Sequence, residues 1–358
     1  MYRVIQWATG SLGRTSLRRI IDAPDLELVG VFVYDERKSG LDAGEIARRT
    51  RTGIRATHRI EDILALDADV VIHTPRLTNP YHLQNTEVSR LLAAGKNVIS
   101  TAGFHFPEAH GTAYAAPLRA ACERGRSTLA GLGLNPGFIV ERLALLLTRV
   151  CARFESIASF EIADASTMPA REFVFDIMGF GSDPVVDDVR RGPLAALYGK
   201  LYGEVFYHAA HALGTKVLSI DADHRLTLAP EDLPIAAGTI HRGTVAATDW
   251  RWNARFTDGR TMTHSVTWSA DLRLHGMAGN SAATWRIEIR GRPCIKLAMS
   301  IEDPDPSAPH ARASADATVA VAIAAIPAVC AAPPGFFLPS SFRDLALSSD
   351  EQTEERAR

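Results

Sequence analysis

The first fourteen residues constrain the fold more than any other stretch. Arg3-Val4-Ile5-Gln6-Trp7-Ala8 is a short, mostly apolar run with strand character, and it passes directly into Thr9-Gly10-Ser11-Leu12-Gly13-Arg14, a glycine turn that opens a helix. A helix N-terminus offers unpaired N–H groups and the positive end of a dipole, so a turn of this kind holds phosphate well. The spacing follows the Gly-x-Gly-x-x-Gly dinucleotide pattern, with Ala8 where the first glycine would stand. Gly10 lets the backbone approach a pyrophosphate, and Gly13 lets the helix pack on the strand.

Composition narrows the class. The chain has 358 residues, 46% of them hydrophobic and 22% charged, enough for two domains with sizeable cores. A net charge of −2 argues against nucleic acid or an anionic membrane surface as partner. Cys122, Cys151, Cys294 and Cys330 form no close pair, which points to reduced thiols and to neither a disulfide frame nor a metal site. No basic-then-apolar leader or long uncharged apolar span stands out, so a cytoplasmic protein without membrane association is expected.

Strand-like and helical runs alternate through residues 1–150: strands at Val4–Ala8, Leu28–Tyr34, Val70–His73, Asn97–Ser100 and Ser127–Ala130, helices at Arg14–Asp22, Ile60–Leu66, Leu83–Ala94, Thr112–Arg124 and Gly137–Val150. Such βα repeats predict an α/β domain with a doubly wound parallel sheet, a Rossmann domain. Residues 151–311 change texture. A strand at Phe154–Ile162 leads into a helix-rich stretch from Arg171 to Leu213 and then several strand-like runs to Met299, predicting an α+β domain with a mostly antiparallel sheet. Thr318–Cys330 lacks a polar face and is expected to be a buried helix, within a segment 312–347 that returns to the first domain; 348–358 reads as a disordered tail.

Ligands of open parallel sheets bind at the carboxyl ends of the strands. After the second strand come Asp35, Arg37 and Lys38. An acidic side chain there selects NAD and a basic one NADP, so NAD(P)H is the expected cofactor, with mixed use of the two forms. Thr74 and Pro75, Thr101 to Phe104, and the turn Gly131-Leu132-Gly133-Leu134-Asn135-Pro136-Gly137-Phe138 end the next strands. Glycine-rich ends of this kind admit a planar ring close to the backbone.

Asp42-Ala43-Gly44-Glu45, Thr101-Ala102-Gly103-Phe104 and Asn135-Pro136-Gly137-Phe138, in this order behind the N-terminal turn, resemble dihydrodipicolinate reductases. Gly131 to Phe138, Phe175-Asp176-Ile177-Met178-Gly179-Phe180-Gly181, and the run Ile326 to Gly335 look more specifically like a related group that includes 2,4-diaminopentanoate dehydrogenases and NAD(P)-dependent amine dehydrogenases. The resemblance extends to about Leu347. It implies an NAD(P)-dependent oxidoreductase, a homodimer built on the second sheet, a nicotinamide over Gly103 and Phe104, and a substrate in the interdomain cleft. The chain also departs from the pattern. Glu161 to Arg171 holds no counterpart of the reductases' His-His pair, Lys or Ser-Gly-Thr loop, and Gly103-Phe104 stands where the amine dehydrogenases carry a Glu.

Thr9, Gly10, Ser11, Leu12, Gly13, Arg14, Asp35, Arg37, Lys38, Thr74, Pro75, Thr101, Gly103, Phe104 and Asn135 are therefore the expected cofactor residues. Phe104, Phe138, Phe173 and Met178 are expected to line an apolar substrate pocket between 103–108 and 164–181. Hydride transfer at a C–N or C–O carbon needs a proton donor. His105 is the first candidate, because an imidazole titrates near neutrality, with Asp164 and Asp176 behind it. The expected substrate is a small, fairly hydrophobic imine, amine or carbonyl compound. A polyol-type dehydrogenase should carry Glu-Lys-Pro after the fifth strand, and only Gly95-Lys96-Asn97, before it, is present. An NAD(P)-binding regulatory protein without turnover is the alternative from another class.

Overall fold

The computed structural model describes residues 1–169, 171–276, 283–305 and 313–339. Its first half builds one sheet from β1 (Tyr2–Trp7), β2 (Leu26–Phe32), β3 (Ala56–Thr57), β4 (Val70–His73), β5 (Asn97–Ser100) and β6 (Thr128–Gly131). A seventh strand comes from near the described C-terminus, Gly335–Phe337, so the order is that strand, then β6-β5-β4-β1-β2-β3. Every pairing is parallel. The strands are short apolar runs buried on both faces, and the connecting helices α1 (Ser11–Asp22), α2 (Ala43–Ala47), α3 (Ile60–Leu64), α4 (Asn85–Ala93) and α5 (Thr112–Gly125) supply the covering layers. The direction of winding reverses between β1 and β4, which is where such sheets bind ligands.

The second sheet contains β7 (Arg153–Asp164), β8 (Val217–Ala222), β9 (Arg225–Leu228), β12 (Val245–Phe256), β13 (Thr261–Ser269), β14 (Ala283–Arg292) and β15 (Ile295–Ser300); a separate small hairpin pairs β10 (Leu233–Ile235) with β11 (Gly238–Ile240). Its order is β15-β14-β7-β13-β12-β8, with β9 beside β12, and only β7 and β13 run parallel. Between β6 and β7 the expected amphipathic helix is a π-helical segment, Ile139–Ala144, continued by a short α6 (Leu145–Leu147). The 20-residue helix α7 (Pro193–Ala212) lies on the inner face of the sheet, where Tyr198, Tyr202 and Phe206 meet Trp250, Trp252 and Trp285 in the largest apolar core.

One expectation is corrected. The run Thr318–Cys330 is not a wholly buried helix. It forms α8 (Ala313–Ala324) and α9 (Ile326–Ala331), packed through one stripe of Val319, Ala322, Ile326 and Val329 while Ala324, Pro327 and Ala328 stand exposed. Alanine is small enough to be tolerated at a surface, so an unbroken Ala/Val pattern overstates burial. By length and composition alone Ala313–Ala331 could cross a membrane, yet its packed stripe joins the core of the first sheet. The expected tail 348–358 lies outside the described residues.

Candidate active site

The carboxyl edge of the parallel sheet is organised by backbone. Gln6 Nε2 donates to Ala8 O (2.9 Å) and Thr74 Oγ1 (2.9 Å), and Thr74 Oγ1 donates to Trp7 O (3.1 Å), so the ends of β1 and β4 are tied together. Ala8 takes a left-handed conformation with φ of 69°. A Cβ on Gly13 would stand 2.3 Å from Ala8 O, so the helix can approach only through glycine. A Cβ on Gly10 would meet nothing within 4 Å. Space is therefore open in front of the α1 N-terminus, beside Ser11 and Leu12, where a pyrophosphate needs it.

Two cations expected to compete for a 2′-phosphate are placed differently. Arg37 forms a two-pronged pair with Asp35 (3.0 Å for both Nε and Nη2) and points to solvent. Lys38 Nζ instead reaches back to the turn, 3.2 Å from Thr9 O and 3.3 Å from Thr9 Oγ1. The charge over the phosphate turn thus comes from Lys38, and Asp35 is neutralised by its own neighbour.

The remaining strand ends leave polar atoms unused. Thr101 Oγ1 and Asn135 Oδ1 are buried without a partner among the described residues, on the edge where a carboxamide-bearing ring is expected. The open turn, the flanking lysine and these orphaned groups fit a dinucleotide. Gly103, with φ of 107°, has no room for a side chain, since a Cβ would fall 2.4 Å from Tyr81 Oη. Phe104 turns inward with φ of 66° and packs in the cluster of Trp7 and Phe32. It is 3% exposed there.

Behind this edge lies a set of buried ionisable groups that the sequence did not announce. Glu204 of α7 is fully buried and accepts from Tyr81 Oη (2.7 Å), His110 Nε2 (2.6 Å) and Phe106 N (3.0 Å). Burial pushes its carboxyl up, but the His110 hydrogen bond and the charges of His105 and His110 outweigh this and hold it below the usual range. Glu141 is also buried and its carboxyl has no hydrogen-bond partner among the described residues; burial raises it, partly offset by His105. His105 stands in the field of both carboxylates, 2% exposed, with neither ring nitrogen hydrogen-bonded among the described residues. The imidazole of His208, pushed down to about 4 by burial, closes the group.

Glu161 on β7 is the third such carboxylate. It is partly exposed, accepts from Asn135 Nδ2 (2.5 Å) and Trp285 Nε1 (3.1 Å), and is raised by desolvation. It joins the nicotinamide-side turn to the inner face of the second sheet. No local signal in β7 singles Glu161 out, since Glu155 has the same parity in the alternation.

The other expected residues scatter. Asp164 caps its own turn, accepting from Ser166 N (2.8 Å), and Asp176 is exposed on the π-helical segment Glu172–Ile177. Phe173 is 38% exposed beside Trp268, and Phe138 is half-buried against the main core. Met178 is fully buried with Val174, Phe180 and Ile240 in a core of the second domain. His264 of β13 is sealed against Tyr202 and Phe206 with no polar partner among the described residues. The segment 103–110 packs on α7, Phe106 stacking on Tyr207, whereas Val174, Met178 and Phe180 pack over β9–β12.

Comparison with known proteins agrees with the motifs. The family profile "Dihydrodipicolinate reductase, N-terminus" matches residues 4–115. An amine dehydrogenase of Streptomyces virginiae is 30% identical over 185 residues, a match that spans about half the length of each chain (51% of both). Among solved structures, an amine dehydrogenase from Mycobacterium smegmatis superposes with a TM-score of 0.76 at 16% identity, covering 94% of both chains. A myo-inositol 2-dehydrogenase from Lactobacillus plantarum reaches 0.50 at 14% identity, over 83% of this chain and 76% of the other. The resemblance to the dihydrodipicolinate reductase and amine dehydrogenase group stands, and the solved structures share the two-domain fold.

Proposed function

We propose that the chain is an NAD(P)-dependent oxidoreductase that moves a hydride to or from an imine, amine or carbonyl carbon of a small, fairly hydrophobic substrate. The open phosphate turn carries this reading: Gly10 leaves space that no protein atom fills, at a helix N-terminus flanked by Lys38. Gly10 to Arg14 and Lys38 would hold the pyrophosphate, and Thr101, Gly103 and Asn135 the nicotinamide. When bound, that ring supplies or accepts the hydride. Both NAD(H) and NADP(H) are accommodated, because Asp35 is neutralised by Arg37. The amine dehydrogenase names of the relatives favour a C–N substrate.

Two groups would exchange the proton. His105 lies one residue past Phe104, in the field of two buried carboxylates. Glu161 is bonded to Asn135, and its desolvated carboxyl keeps a proton to higher pH than an ordinary glutamate. A polyol-type chemistry is disfavoured by Lys96, which is buried, donates to Leu64 O (3.0 Å) and precedes β5, at the opposite end of the strand from the ligand edge.

Calorimetry with NADH and NADPH tests the reading. Gly10→Val should fold normally and lose both cofactors, since its side chain enters the phosphate space. Unchanged affinity would remove the basis of the proposal. In the parent protein, NAD(P)H oxidation over a panel of imines and ketones should show turnover; binding without turnover throughout would favour the regulatory alternative. Whichever of His105→Ala and Glu161→Gln lowers turnover by about 10²-fold or more at unchanged cofactor affinity identifies the donor.

A further inference from the structure

A depression of about 490 Å³ opens beside α7, bordered by the Ala109-His110 turn, β8 and β12. Arg190, Lys200, Tyr207, His224, His110 and Trp252 line it, and none of the expected cofactor residues does. Its depth comes from α7 itself. Gly199 and Gly203, one helical turn apart, face it where side chains would otherwise stand. Glycine inside a helix is unfavourable, and close packing is the usual reason to keep it. Packing does not require it here: a Cβ on Gly203 would meet nothing within 4 Å, and one on Gly199 nothing nearer than Trp252 Nε1 at 4.0 Å. What the two glycines provide is the space.

The lining has a definite chemistry. Lys200 has no ion-pair or hydrogen-bond partner among the described residues, and the Tyr207 hydroxyl likewise bonds none. Arg190 is half neutralised by Asp188, which takes its Nε (2.7 Å) and Nη2 (3.0 Å). His224 Nδ1 accepts from Arg251 N (3.1 Å), which leaves its Nε2 as the donor. No carboxylate lines the depression. Trp252 and Ile220 give the lining its apolar surface, and Trp252 Nε1 is the atom nearest a Cβ on Gly199. One free cation, neutral donors and an aromatic surface suit a monoanion with an apolar body; an inorganic phosphate dianion would leave that surface uncovered and find too little charge.

We propose that this depression binds a small organic carboxylate with an aromatic or branched apolar body, at a site separate from the hydride-transfer edge. The separation is physical: between His110 at its rim and Gly103 stand the buried side chains of Glu204 and Tyr81. The inference does not rest on the enzymatic reading, since the site uses none of its residues for chemistry.

Calorimetry on the full chain with 3-phenylpropionate, 3-phenylpropan-1-ol and inorganic phosphate tests it. The acid should bind 1:1, at least tenfold tighter than the alcohol and than phosphate, and saturating NADPH should not displace it. Lys200→Met should weaken the acid at least tenfold and leave the alcohol unchanged. Gly203→Leu should abolish binding of the acid. Gly203→Ala fills less space but favours the helix; it should raise the Tm and still weaken binding several-fold, which keeps the test decisive if the leucine variant does not fold. No binding of the acid, equal binding of acid and alcohol, displacement by NADPH, or full affinity in the Gly203→Ala protein would each overturn the proposal.

Discussion

The two sheets hold their polar groups in opposite ways. Along the carboxyl edge of the parallel sheet, the proposed cofactor site is shaped by backbone: a turn open at Gly10, closed at Gly13, and a strand end kept bare at Gly103. Under the second sheet and α7 the polar groups are enclosed side chains whose partners are remote in sequence. Tyr81 and Glu204 are 123 residues apart, His110 and Glu204 94, Trp285 and Glu161 124. A backbone site tolerates many side chains and depends on a few glycines. A buried side-chain site depends on every partner being present, because each unpaired polar group is desolvated without compensation.

Removing the central acceptor should break the second arrangement most severely. Glu204→Leu would leave Tyr81 Oη, His110 and the Phe106 N–H without an acceptor in a fully buried place. Loss of one partner of a buried charged network costs roughly 3–5 kcal/mol. Urea denaturation should show a loss of that order, with Glu204→Gln losing distinctly less. A leucine variant within about 1 kcal/mol of the parent would mean that the network contributes little, and that the contrast between the two regions is one of geometry only.

This contrast also explains what could be read from sequence. The parallel sheet was legible because a short-range pattern, strand then glycine turn then helix, repeats along the chain. Val70–His73 and Asn97–Ser100 fall where the apolar runs put them. The final strand, Gly335–Phe337, was missed because a three-residue run has no periodicity to detect, and its partner β6 lies about two hundred residues away. The burial of Phe104 and Met178 was not legible, because an aromatic or Met beside a site motif looks the same whether it turns in or out. Glu141, Glu161 and Glu204 were invisible as a group, since nothing local marks a glutamate whose partners arrive from other elements.

Acid stability should show a second difference, of intermediate size. His73 at the end of β4 and His264 on β13 are both enclosed, and burial pushes each down to about 3. Unfolded, an imidazole titrates near about 6.5. Between these values the unfolded chain binds protons that the folded one refuses, so stability falls as pH falls from about 6.5 toward 3, by up to about 1.4 kcal/mol per pH unit for each histidine. Glu141 and Glu161, raised by burial, act in the opposite sense: their stabilisation is greatest in acid and is lost as pH rises through their folded values. His73 keeps one contact, Nδ1 to Ser100 Oγ at 3.0 Å, while His264 has none. His264→Phe preserves the ring packing on Tyr202 and removes the titration. The slope of stability against pH between 6 and 4 should become shallower by up to about 1.4 kcal/mol per unit. An unchanged slope would show that His264 reaches solvent or a proton in the folded state.

The smallest effect belongs to the backbone region, at the one place where it departs from its own rule. Ala8 stands where the dinucleotide pattern has glycine, and it holds φ of 69°. A left-handed residue with a Cβ costs roughly 1–2 kcal/mol. The conformation is imposed by its surroundings: Ala8 N donates to Phe32 O (2.9 Å), Ala8 O accepts from Gln6 Nε2 (2.9 Å), and the Gly13 Cα lies against that same oxygen. Ala8→Gly would relieve the strain while giving the unfolded chain more freedom, which offsets about 0.4–1 kcal/mol of the gain. The net expectation is a stabilisation of about 0.5–1 kcal/mol, visible as a small rise in the urea midpoint at constant m. The turn keeps its shape, so cofactor affinity should stay the same. A loss of stability would show that Ala8 is not strained, and that its methyl group contributes more to the packing beneath the turn than its backbone angle costs.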